Sequence, residues 1–286
     1  MNDNAVVNWL LEDDNPAVKY RTKTEILGEM ADKAPVIAWL NDFLPSDWKE
    51  CEGLWSVYYL TTIAESGLSF EDVPLDKEKA IHFGSDYRFE HSCGDYMRLR
   101  SLVRLGLGED AVNIVRNSIE KQLPDGGFLC LHRVDKMNRI PKSCVKANMY
   151  ALMFCAECRK KDIKTDIEKP LLDYFWNHNL FYRTASPNEL IVNSREGWRA
   201  IDAFYPFEVM RVGLQNIVES FCALGYGNDL RLSEAWNILD SKKNADGKYI
   251  LNGTLTKSYL PRERVGKPSK WVTFYAMLAE KKWNKQ

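Results

Sequence analysis

Apolar residues recur along this chain at intervals of three and four, and clear alternation of apolar with polar positions is scarce. The pattern predicts helices over 3–11, 15–28, 32–43, 53–66, 74–82, 93–106, 109–121, 143–158, 165–177, 206–224, 229–242 and 268–282. Several ends carry local signals. Asn15-Pro16 sets a capping residue before a proline at the first helical position, and Ser143 and Asp229 are placed to cap in the same way. Gly28, Gly106 and Gly225 stand where helices should stop. No low-complexity linker divides the chain, so residues 1–286 read as one all-helical domain.

A turn interrupts the helices and then returns. Gln122-x-x-x-Gly126-x-Phe128 has relatives in Lys49-x-x-x-Gly53-x-Trp55 and Lys243-x-x-x-Gly247-x-Tyr249. LVRLGLGED (102–110) and FCALGYGND (221–229) share a second pattern, each followed by a helix and then by the turn. The glycine spacings fit two and three units of a period near ~40 residues, the length of a helix-pair repeat. Degenerate units should then fill the gaps around 83–90 and around 177–184 or 194–202. Six such pairs, side by side, can curl and close into a double ring with a central cavity.

The turn Gln122-x-x-x-Gly126-x-Phe128 resembles the QW motif of the squalene cyclase and protein prenyltransferase superfamily, with Phe in place of Trp. DGGFLC with the later Ser143-Cys144, and GKPSKWVTFYAM near the end, are similar to small stand-alone prenyltransferase or squalene-oxidase repeat proteins. The resemblance runs from residue 15 to Trp283 and implies an (α/α)6 toroid, with inner helices starting near 15, 53, 93, 143, 206 and 268. It also implies a ligand of isoprenoid or other apolar type. The Asp-x-Asp-Asp cluster that protonates a cyclase substrate is missing, since Glu12-Asp13-Asp14 and Glu71-Asp72 lack its spacing. Cyclisation has no support from the residues.

Composition narrows the classes. The chain has 286 residues, 45% hydrophobic, with formal net charge −1, so a large core is expected and a nucleic-acid footprint is not. The opening MNDNAVVNWLLEDDNP lacks a signal-peptide pattern and no long apolar run suggests a membrane span. Seven scattered cysteines suit a reducing, cytoplasmic setting.

Three of those cysteines are the sharpest chemical candidate. Cys93 and Cys144 should begin successive inner helices, with Cys130 on the loop between; His132 or His91 would complete a tetrahedral Zn2+ site, or the thiols stay inert. Cys155-x-x-Cys158 falls within a helix and reads as core, and His82 and His178 stand alone. No P-loop and no G-x-S-x-G elbow is present. The segment 194–211 would place Trp198, Arg199, Asp202, Tyr205 and Glu208 at the cavity mouth, where they could bind an anionic or sugar-like small molecule or serve as acid and base; the plainer alternative is a solvated loop and a helix with ordinary ion pairs. Arg98, Lys142 and Lys146 fit the same anion site, and Trp271 and Tyr275 are candidate cavity walls. The function read from these residues is a ligand-binding toroid. Its alternatives are a carbohydrate-active (α/α)6 barrel enzyme and a non-catalytic scaffold.

Overall fold

The computed structural model describes residues 3–48, 56–82, 89–116, 122–129, 143–183, 186–190, 201–207, 211–254 and 260–283. The helices are α1 (Asp3–Leu10), α2 (Pro16–Arg21, continued by a π-helical stretch Thr22–Leu27), α3 (Ala34–Phe43) and α4 (Ser56–Glu65). Then come α5 (Lys77–His82), α6 (Cys93–Leu105), α7 (Gly108–Val115), α8 (Val145–Lys160) and α9 (Glu168–Asn177). The last are α10 (Leu214–Ala223), α11 (Ser233–Asp240) and α12 (Lys270–Leu278, prolonged by π turns Ala279–Trp283). One ribbon of two strands, β1 (Tyr182–Arg183) and β2 (Ser186–Leu190), was not expected from the helical periodicity.

The even-numbered helices form the inner ring. α4 packs on α6, α6 on α8, α8 on α10, α10 on α12, and α12 returns to α2. Arg21 then donates to the Glu65 carbonyl at 3.1 Å, joining α2 to α4 and closing the circle. Helices α3, α7, α9 and α11 pack outside α2, α6, α8 and α10. The inner helices are buried on nearly every side, with Ala147–Cys158 of α8 continuously inaccessible, as a second layer wrapped around a first requires. The chain is an all-helical (α/α)6 toroid.

Local signals set most ends. Asn15 accepts from the Val18 amide at 3.1 Å, and Asp229 accepts from Arg231 ahead of a 3-10 turn that leads into α11. Gly28, Gly106 and Gly225 all adopt positive φ. The same ending recurs without glycine. Leu107 bonds Leu102 and Tyr226 bonds Phe221, each amide to the carbonyl five residues back. Ile163 bonds Cys158 and Leu180 bonds Phe175 in identical fashion. Asp162 (φ 58°) and Asn179 (φ 44°) hold the left-handed position there, the residue types that tolerate it best after glycine. The end of α9 thus shares the helix-ending geometry seen at 106 and 225; the degenerate copy of the turn expected around 83–90 lies mostly outside the described residues.

Two expected starts differ. Ser143 does not cap α8; its hydroxyl donates to Asp125, and Cys144 takes the cap position without a side-chain bond. The helix expected over 206–224 begins only at Leu214. The preceding residues are drawn into an extended pairing, with Asn252 donating to the Ala203 carbonyl (2.8 Å) and Tyr205 to that of Gly253 (3.1 Å). Tyr205 also precedes a proline, which disfavours helical backbone before it.

The recurring turn is one structure in two places. Gln122 bridges Phe128 and Lys243 bridges Tyr249, with Gly126 and Gly247 at φ 84° and 81°. The Phe128 amide donates to Asn148 and its carbonyl accepts from Cys144; the Tyr249 amide donates to Thr273 and its carbonyl accepts from Ser269. Cys144 and Ser269 are the N-caps of α8 and α12, and Asn148 and Thr273 lie four residues further on. The turn is a clamp that ties an arriving outer segment to the first turn of the next inner helix. The copy at 49–55 lies outside the described residues.

Removing the side-chain half of either clamp leaves a buried amide without its acceptor, at a cost of about 1–3 kcal/mol. Asn148→Leu and Thr273→Val should each lower the unfolding free energy by that amount, seen as a lower urea midpoint. An unchanged midpoint in both would show that the clamp contributes nothing.

Candidate functional site

Helical spacing on the inner ring decides what faces the barrel. On α6 the sequence Cys93, Met97, Arg100, Arg104 follows one stripe, and on α8 the stripe is Lys146, Met149, Met153, Glu157, Lys160. Descending each stripe leads from the N-terminal mouth through methionine into charge.

The lower half of the barrel is filled by an ion network. Arg21 grips Glu25 at 2.5 and 3.0 Å, and reaches Glu65 (3.2 Å) and the Tyr275 hydroxyl (3.0 Å). Arg100 pairs with Glu65 and lies 3.4 Å from Glu157, to which Arg104 donates at 2.9 Å. Lys160 joins Glu157 (3.3 Å) to Glu219 (2.5 Å), and the Trp283 indole donates to Glu219 at 3.0 Å. Tyr275 donates to Glu65 in turn. The cations Arg21, Arg100, Arg104 and Lys160 balance the carboxylates of Glu25, Glu65, Glu157 and Glu219. Every inner helix contributes to this cluster.

Such a cluster is stable only when complete. Burial works against ionising Glu25, but the Arg21 guanidinium more than offsets it and holds the carboxyl at about 2. Glu65 and Glu157 are also held below the usual carboxylate range. Burial opposes their charge, and it is overcome chiefly by Arg100 for the first and by Lys160 for the second. Burial likewise opposes the charge on Lys160, and Glu157 and Glu219 raise its pKa nonetheless.

The mouth lies at the opposite end, where the inner helices begin. Lys146 is half-buried on the first turn of α8, about 16 Å of helix rise above Glu157. Cys93 is buried at the start of α6, and Cys144 is half-buried at the cap of α8; neither is in a disulfide. His91, held at φ 53°, stacks on Phe128 with centroids 4.8 Å apart and shares a 3.0 Å hydrogen bond with Tyr96. Trp271 is buried and packs edge-on against Phe207, which stacks beside Tyr205. Tyr150 donates to the Arg211 carbonyl, and the Arg211 guanidinium covers Phe204 at 4.8 Å. Glu263 receives Ser269 and the Lys270 and Trp271 amides at the start of α12, and burial pushes its carboxyl up to about 7 against those bonds.

The remaining expected site residues separate. Arg98 turns away from the barrel, with Nε donating to the Ala80 carbonyl of α5 at 3.1 Å. Asp202 is half-buried 3.9 Å from Lys242. Tyr275 belongs to the ion network, below the cavity wall foreseen for it. Trp198, Arg199, Glu208, Cys130, His132 and Lys142 lie outside the described residues. Among the described residues no group of three or more His, Cys, Asp and Glu is placed to hold a metal ion. Burial pushes the Cys155 thiol up to about 12, which keeps it protonated in the core. No helix among the described residues is long and apolar enough to cross a membrane. On the outer ring a hollow of about 580 Å³ is lined by Trp176, Asn179, Tyr182, Arg231 and Glu234. Its polar groups already pair: Tyr182 with Glu234 at 2.8 Å, and Arg231 with Asp229 and the face of Trp176.

Sequence reading missed the network, although one signal was present. Arg100 and Arg104, four apart, and Glu157 and Lys160, three apart, occupy stripes that are otherwise apolar.

Glu65→Gln should cost about 3–5 kcal/mol, because Arg100 and Arg21 remain buried with a partner charge removed. Wild-type stability from the network is fully present above the unfolded glutamate pKa near ~4.3. It is lost progressively as pH falls toward the depressed native values, about 2 for Glu25. Urea midpoints should therefore drop as pH falls from roughly 4.5 to 2, while the raised Glu263 carboxyl makes them decline in the opposite direction, as pH climbs from about 5 to 7; a flat midpoint across the acid range would contradict the assigned charges.

No protein-family model matches the sequence, and no curated protein matches it. Among solved structures, a polysaccharide lyase superposes with a TM-score of 0.51 at 12% identity, over 98% of this chain and 96% of that one. A glycosyl hydrolase of family 88 from Bacteroides vulgatus gives a TM-score of 0.49 at 14% identity, over 97% and 89%. These likenesses lend nothing to the squalene cyclase and prenyltransferase relationship. At such identity they speak to architecture alone: the chain shares the α/α-toroid fold of a polysaccharide lyase over almost its whole length.

Proposed function

We propose that this toroid is a carbohydrate-active protein that receives an anionic or sugar-like ligand at the N-terminal mouth of its inner ring. The observation that carries the reading is the ion network. With charge from five inner helices and the Tyr275 hydroxyl of the sixth filling the lower barrel, the deep apolar cavity that an isoprenoid chain needs has no room to form. What remains is the upper end, where half-buried Lys146 and Arg211 stand over the buried Gln215, Asn216 and Trp271, a polar and aromatic combination suited to a sugar. The inner-helix N-termini converge there too, and their partial positive charge favours an acidic ligand. Glu263, raised toward neutrality at the head of α12, adds an ionisable carboxyl to the same end. The full-length likeness in fold to a polysaccharide lyase supports the same class.

The test is a panel of uronic-acid oligosaccharides, matched neutral oligosaccharides and farnesyl diphosphate, read by calorimetry and by assays for reducing ends and unsaturated sugar. Binding of an acidic oligosaccharide is expected. It should weaken about tenfold in Lys146→Met and fade at high salt. Exclusive binding of farnesyl diphosphate, or of nothing in the panel, would reject the proposal.

A further inference from the structure

Two side chains at the head of α10 are buried with part of their hydrogen-bonding capacity unused. Gln215 and Asn216 are 0% and 2% exposed. Gln215 folds back over the N-terminal end of its own helix, so that a Cβ on Gly213 would stand 2.3 Å from its Nε2 and 2.4 Å from its Oε1. Nε2 donates to the Phe204 carbonyl at 2.6 Å and to Asn216 Oδ1 at 3.0 Å. The Phe204 carbonyl can only accept, which fixes Gln215 Nε2 toward it; turning Asn216 over would then set one N–H donor against another. That fixes what is left. Gln215 Oε1 is an acceptor without a donor, and Asn216 Nδ2 is a donor without an acceptor.

Their surroundings aim this pair at the mouth. Asn216 precedes Glu219 by three residues on α10 and so stands one turn above it on the same face, directly over the ion network. Gly213, the cap residue of α10, brings no side-chain bond of its own. Phe204, which anchors Gln215, is held by its bridge to Gly253, where the ring lies within 2.4 Å of any added Cβ. The next residue, Thr254, has a buried hydroxyl that is also without a partner. Buried polar groups are nearly always satisfied, and each exception needs an account.

We infer that Gln215 and Asn216 form a subsite for a neutral hydroxyl group of the ligand, on the floor of the mouth. A hydroxyl donates one proton and accepts another bond, so it satisfies Gln215 Oε1 and Asn216 Nδ2 together. A carboxylate only accepts and would face Oε1 unfavourably; an ammonium only donates and would leave Nδ2 unused. The subsite therefore selects a sugar by its ring hydroxyl and is indifferent to its charge. This rests on the reading of the mouth as a carbohydrate site.

The experiment separates the two. Wild type, Asn216→Leu and Lys146→Met are titrated calorimetrically with a trigalacturonate and with the matching neutral galactose trimer. Asn216→Leu removes an unsatisfied buried donor but also the acceptor of Gln215 Nε2, so it should melt somewhat lower; read well below that temperature, it should bind both trimers about tenfold or more weakly. Lys146→Met should weaken only the acidic trimer. If Asn216→Leu binds both trimers as wild type does, the pair holds a buried water or nothing, and the subsite is overturned while the carbohydrate reading stands. If wild type binds neither trimer, the carbohydrate reading falls and the subsite with it. Should Asn216→Leu fail to fold, Asn216→Ser, too short to present the amide donor, carries the same expectations.

Discussion

Everything in this toroid is arranged around charges that are largely withdrawn from water. Arg21, Arg100, Arg104 and Lys160 face Glu25, Glu65, Glu157 and Glu219 in the lower barrel, and each inner helix contributes at least one member or a bonded Tyr275 or Trp283. An ion pair in such a place is not a large source of stability by itself, since desolvation consumes most of the attraction. Its force is conditional. Any arrangement of helices that leaves one member without its partner carries an uncompensated buried charge, so competing ring orders and registers are penalised more heavily than the native one is rewarded.

The network also divides the barrel by polarity. Below, each charge is met by an opposite one. Above, on the same helical stripes, Met97, Met149 and Met153 form a soft intermediate layer. Higher still come Lys146, Cys93 and the unsatisfied amides of Gln215 and Asn216. Ligand chemistry is therefore confined to one end, and that end is built by the clamps at Phe128 and Tyr249, which deliver the chain to the first turns of α8 and α12.

What was legible in the sequence was local. Asn15 and Asp229 cap, Gly106 and Gly225 terminate, and the turns at 122–128 and 243–249 recur, because each depends on residues within a few positions of one another. The start of α10 was not legible, since what straightens residues 203–205 is a partner strand at 252–253, some way along the chain. Nor was the network. Arg100 with Arg104, or Glu157 with Lys160, looks like one face of a solvated helix until five other helices surround it. Arg98 was misplaced for a related reason: helical spacing alone does not say which stripe of α6 faces the barrel. Asp162 and Asn179 end their helices as Gly106 and Gly225 do, in residues that only backbone conformation identifies as stand-ins for glycine.

The ring has one more property, which concerns time. The bond from Arg21 to Tyr275 spans 254 positions, and that from Tyr275 to Glu65 spans 210. Contacts so distant are formed late, after the loop entropy between them has been overcome. A chain emerging from the ribosome exposes Arg21 and Glu65 long before α12 exists to receive them. Until then the half-ring has two open faces and an incomplete set of charges, so it behaves as an arc awaiting its keystone. The sixth inner helix turns a row of stacked pairs into a single cooperative body, and unfolding that begins anywhere on the circle must open the same seam.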